Sequence, residues 1–203
     1  MRYTRKLYRE LVDRAVIEAE RFFTVRFAPH GTGYRLEGEE SAPPVVTGPA
    51  PLERFLELER ERRETGLFPI RLESSGRIVG EQAQAGSPQL AQAIEQALQQ
   101  VRASGLDADN RSAAADFLIG MQAAAASLVT RLPAELFRPS GTYSEERREV
   151  PLPDGRTGAL VLKFSASTDV ATGLMQKAER VVVTQLGQSA RRTVETWSLS
   201  PAG

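Results

Sequence analysis

The sequence predicts an α+β protein, a curved, mostly antiparallel, half-barrel-like β-sheet packed on two to three helices. Three observations carry this reading. The last sixty residues fall into four blocks rich in β-branched, aromatic or alternating residues, at 142–150, 159–166, 174–186 and 192–199. Short turn segments separate them, and short links join antiparallel strands, because a parallel pair needs a long crossover. The N-terminal forty residues show the same period-two alternation. Helical patterns lie between these ends, so strand and helix blocks are segregated, which favours α+β over a doubly wound fold.

Residues 2–12 alternate Tyr3, Arg5, Leu7, Arg9 and Leu11 against Thr4, Lys6, Tyr8 and Glu10, the pattern of a polar, edge-like strand. Residues 15–28 alternate more cleanly. Ile17, Ala19, Phe23, Val25 and Phe27 share one face, interrupted by Arg21, and Glu18, Glu20, Phe22, Thr24 and Arg26 share the other. A turn at His30-Gly31-Thr32-Gly33 returns the chain into a third strand, so residues 2–40 form an N-terminal meander. Four prolines and a glycine between Ser41 and Pro51 predict a loop with a short extended piece at Val45-Val46. A helix is predicted over 52–65, with Leu52, Phe55, Leu56 and Leu58 on one side and a solvated, charged remainder. Pairs such as Glu59–Arg63 add tenths of a kcal/mol each, and Gly66 is placed to end the helix in the left-handed conformation.

Short strands are predicted within 67–80, with Pro69 confined to an edge. Two helices are predicted over 88–132. The first opens at Ser87-Pro88 and carries Leu90, Ile94, Leu98 and Val101. The second carries Phe117, Leu118, Met121 and Leu128 among alanines, a small-sided helix able to approach another backbone closely. The C-terminal four-strand meander, 142–199, closes the chain. No sequence repeat is found, and 1–203 reads as a single domain.

Bulk composition excludes several functions. Lys+Arg and Asp+Glu are 26 each, so the chain lacks the cationic excess that binds nucleic acid or anionic membranes. With no cysteine, thiolate catalysis, thiolate metal sites and disulfides are absent. No apolar run reaches the ~20 residues of a membrane-spanning helix. The N-terminus as written has no apolar signal segment, which predicts a cytoplasmic protein, or a periplasmic one if Met1 replaces a removed leader.

The candidate chemistry is sparse. His30, the sole histidine, sits in a glycine turn. Gly31-Thr32-Gly33 lacks the lysine and helix of a phosphate loop. Glu18 with Glu20, and Glu37, Glu39 and Glu40, read as wet sheet faces. Asp169 reads as a turn former. Arg191-Arg192 reads as a solvated hairpin end, and Asn110-Arg111-Ser112 as a helix cap. No residue is assigned to catalysis, no metal site is predicted, and no cofactor is required.

The remaining signal is apolar. Phe23, Val25, Phe27, Leu160, Leu162, Phe164 and Trp197 would line one concave side if both ends share a sheet, with Leu118 and Met121 packing against it. This is the candidate cavity for a lipid or other apolar small molecule. The arrangement of strands, mid-chain helices and a last hairpin ending Glu195-Thr196-Trp197-Ser198-Leu199 resembles the bacterial lipoprotein-carrier (LolA-like) half-barrel superfamily. The resemblance implies an apolar pocket and carries no residue role. The leading expectation is a non-catalytic binding or carrier protein. The alternatives are a small cofactor-free enzyme of the cyclase or isomerase kind in the same cavity, and an interaction protein with a filled core whose strand edges or charged helix contact a partner. The sequence leaves oligomeric state open.

Overall fold

The computed structural model describes residues 1–10, 15–64, 66–79, 132–151, 157–186 and 189–202. Its strands are β1 (Arg2–Glu10), β2 (Val16–His30), β3 (Gly33–Thr47), β4 (Ile70–Leu72), β5 (Tyr143–Pro151), β6 (Thr157–Thr168), β7 (Met175–Leu186) and β8 (Ser189–Ser200). They form one open sheet in the order β4-β3-β2-β1-β8-β7-β6-β5, and every neighbouring pair is antiparallel.

The two ends of the chain meet at the centre of this sheet. Pairing of β1 with β8 sets Tyr3 opposite Leu199, Arg5 opposite Trp197 and Leu7 opposite Glu195. On its other side β1 sets Tyr3 opposite Phe23 and Arg5 opposite Arg21. Directly opposed residues share a face, so one inner face holds Tyr3, Arg5, Leu7, Phe23, Val25, Trp197 and Leu199. All seven are buried.

The expected α+β arrangement, a half-barrel on two to three helices, is corrected here. Among the described residues there is a single α-helix, α1 (Glu53–Glu61), preceded by a 3₁₀ turn at Ala50–Leu52. It covers one corner of an open sheet. Leu56 packs there with Ile17 and Val46, flanked by Ala19 and Leu52. Beside that corner the inner face is covered by irregular chain. Leu67 is buried, Phe68 meets Phe23 and Tyr3 edge to face, and Phe137 meets Tyr3 at a tilt and Phe27 edge to face. The two helices expected over 88–132 lie outside the described residues.

Three further expectations change. The proline-rich stretch after Ser41 is not a loop as far as Thr47, because β3 continues to that residue and takes in the extended piece expected at Val45-Val46. Its register against β2 slips between Glu20 and Phe22 and again between Phe22 and Phe23. Pro43 and Pro44 fall in that irregular segment, where a missing N–H costs no ladder bond. The helix expected over 52–65 ends at Glu61, with Arg62 in extended backbone as its C-cap, so Gly66 does not cap it. Its charged side is also not uniformly solvated, since the side chain of Glu59 is only 13% exposed. No helix among the described residues is long and apolar enough to cross a membrane.

Candidate ligand pocket and its buried ion cluster

The clean alternation of β2 places Phe23 and Val25 on the inner face and interrupts it with Arg21. The structure gives that interruption a purpose. Arg21 is buried, and its guanidinium reaches the C-terminal turn of α1. Nη1 donates to the Arg62 carbonyl at 2.8 Å and Nη2 to the Glu59 carbonyl at 3.1 Å. A cation at a helix C-terminus satisfies orphan carbonyls and the negative end of the helix dipole. Nη1 also donates to Glu40 Oε1 at 2.8 Å, and Nη2 lies 3.6 Å from Glu59 Oε2.

The cluster continues across the sheet. Arg5 Nε donates to Glu195 Oε1 at 2.7 Å, and Arg180 donates to Glu195 Oε2. The Glu64 carboxylate sits among three guanidiniums, 3.5 Å from Arg21 Nε, 3.6 Å from Arg62 Nη2 and 3.9 Å from Arg5 Nη1. Burial works against the Arg5 charge, but Glu195, then Tyr3 and Glu64, hold its pKa above the ordinary value. Arg180 lies over the Trp197 ring, 5.3 Å from its centroid, a cation–π contact. Buried charges survive only when paired in this way.

Next to the cluster is a pocket of about 290 Å³ lined by Phe23, Gly38, Glu39, Glu40, Arg63, Glu64 and Phe68. Phe23 and Phe68 meet edge to face at 5.4 Å. Gly38 makes this possible, because a Cβ there would lie 2.8–2.9 Å from the Phe68 ring. Glu40 and Glu64 are held by arginines, which leaves Glu39 and Arg63 as the rim charges. Tyr3, behind the two phenylalanines, is wholly buried. Burial pushes its phenol pKa well up, with Arg5 opposing. Tyr3 Oη and Trp197 Nε1 find no hydrogen-bond partner among the described residues.

Of the residues expected to line a cavity, only Phe23 lines this pocket. Val25 is buried one pair further along β2, and Phe27 meets Phe137 edge to face. Trp197 lies under Arg180. Register places Leu160, Leu162 and Phe164 on the same face but two strands beyond Trp197, and they are half-buried. Leu118 and Met121 lie outside the described residues. Gly38, Glu39, Glu40, Arg63, Glu64 and Phe68 were not expected. Arg21 breaking an apolar stripe was the one visible pointer to their neighbourhood.

Fold and site define a class, an open antiparallel β-sheet protein with a small, aromatic-walled, charge-rimmed pocket on one face. No family model, characterised protein or solved structure gives a significant match to the chain.

Proposed function

We propose that this is a non-catalytic binding protein that holds a small ligand, apolar or aromatic at one end and polar at the other, in the Phe23–Phe68 pocket. The observation that carries the reading is the pocket's composition. Phe68 and the almost wholly buried Phe23 line it beside Gly38, and four of its seven lining residues are charged, Glu40 and Glu64 held by arginines and Glu39 and Arg63 at the rim. Ligand sites are characteristically apolar concavities with a few placed polar groups. At about 290 Å³ the space suits a single ring system or a short chain, at the lower limit of the usual ~300–1,000 Å³. The resemblance to the lipoprotein-carrier superfamily points toward an apolar ligand as well and belongs to this proposal.

Native mass spectrometry of the purified protein tests it, alongside titration with the aromatic amphiphile 1-anilinonaphthalene-8-sulfonate. The expected result is a retained small mass, or saturable probe binding, that Gly38→Val abolishes by driving a side chain into the Phe68 ring. An empty protein that neither binds the probe nor responds to the substitution would overturn the reading.

A further inference from the structure

The two edges of the sheet are built differently. The β4 edge is three residues long and is capped by the turn that follows, where Leu72 bridges Ile78 and Val79 donates to the Arg71 carbonyl. The β5 edge is nine residues long, and Tyr143 to Arg147 and Glu149 are exposed. A long, exposed edge presents a row of unpaired backbone groups and is a template for another strand. The Ala166 N–H donates to the Thr142 carbonyl. By the alternation of an antiparallel ladder, Ser144, Glu146, Arg148 and Val150 then turn their backbone groups toward β6, while Tyr143, Glu145, Arg147 and Glu149 turn theirs outward. Pro151, with no N–H to offer, holds the next outward position, where proline is tolerated.

We infer that this edge pairs with β5 of a second copy of the chain, antiparallel, about a twofold axis passing between the two Glu146 residues. Antiparallel neighbours are related by a twofold perpendicular to the sheet, so opposed residues must lie on the same face. That restricts the registers, and charge together with the supply of outward N–H groups selects among them, since an axis at Arg148 also sets Arg147 against Glu149 but faces Glu145 with Pro151, which has no N–H to give. With the axis at Glu146, each Glu145 faces Arg147 of the other copy, Tyr143 faces Glu149, and every outward N–H from Tyr143 to Glu149 is used. The two Glu146 residues then oppose each other at the axis, each already engaged within its own chain. With the axis at Arg147, arginine faces arginine and Glu145 faces Glu149. With the axis at Glu145, glutamate faces glutamate and Arg147 faces only Tyr143. Glu145 already pairs with Lys163 at 3.3 Å and accepts from Tyr143 Oη at 2.5 Å, so it is held in place to receive a second cation. Arg147 has no ion pair among the described residues, and the pairing supplies one. The occupant is therefore a second copy, since an unrelated strand would have no reason to match the Glu-Glu-Arg-Arg order in reverse.

Sedimentation equilibrium on the full chain tests this. A concentration-dependent dimer is expected. Arg147→Glu and Glu145→Arg should each weaken it by about tenfold or more, because two opposite-charge pairs become like-charge pairs. The double variant, which exchanges the two charges, should restore it. Arg147→Pro removes an outward N–H together with the guanidinium and spares the β5–β6 ladder bonds, so it should abolish the dimer while leaving the far-UV circular dichroism unchanged. A monomeric wild type would overturn the inference, as would single variants that dimerise normally. A double variant no better than the singles would overturn the register.

Discussion

Removing the Glu195 carboxylate is the sharpest perturbation of the inner face. The residue is 3% exposed and neutralises Arg5, at 2.7 Å, and Arg180 together. In Glu195→Ala both guanidiniums lose their main counter-charge in a dry environment. Breaking a buried pair from one side costs about 3–5 kcal/mol. Glu64, 3.9 Å from Arg5, compensates in part, so the expected loss is about 3 kcal/mol, a large share of the ~5–15 kcal/mol that holds a typical domain together. Urea unfolding followed by the fluorescence of Trp197, the sole tryptophan, reads this directly. The midpoint should fall with little change in slope. Replacing the cluster together, as Arg5→Met with Glu195→Leu and Arg180→Met, should restore most of the loss, because an apolar set of similar volume leaves no orphan charge. A Glu195→Ala loss below about 1 kcal/mol would refute the reasoning, since it would place the cluster in contact with water.

Other substitutions probe separate parts. Gly38→Ala should cost about 1–3 kcal/mol by displacing Phe68, and a thermal unfolding scan should show the lowered midpoint. Arg21→Met should free the C-terminal turn of α1, which hydrogen exchange of the Arg62 and nearby amides would report as faster exchange. Asp169 accepts from the Thr172 N–H and Oγ1, each at 2.8 Å, and these bonds lower its pKa. A carboxylate whose folded pKa is depressed contributes stability above its unfolded value of ~3.9, and loses it as pH falls through the folded value. Carboxyl NMR should therefore find the Asp169 midpoint below that of an unfolded peptide, and a midpoint at or above it would contradict the turn geometry.

The antiparallel sheet was legible because period-two alternation is a local signal. Phe23, Val25 and Phe27 advertise a buried face within five residues. The helical layer was misjudged for an equally local reason. The apolar stripe and charge run after Leu52 specify a helix, but only the fold shows that α1 ends at Glu61 and covers a corner of the sheet. Pro43 and Pro44 read as loop formers because sequence does not reveal a slipped register that spares their missing N–H groups. The site was hidden for a longer-range reason. Arg21 was visible as a fault in the stripe, but its partners Glu40, Glu59 and Glu64 come from two other segments, and Phe68 reaches Gly38 across thirty positions. Spacing rules see neighbours, not partners assembled by topology.

Everything described for the pocket and the ion cluster requires β1 and β8 to be neighbours in the stated register. Cross-strand nuclear Overhauser effects measure that directly. Contacts pairing Tyr3 with Leu199, Arg5 with Trp197 and Leu7 with Glu195 are predicted. A register displaced by one residue would send Trp197 and Glu195 to the opposite face. That pattern, or no β1–β8 contacts at all, would contradict the account.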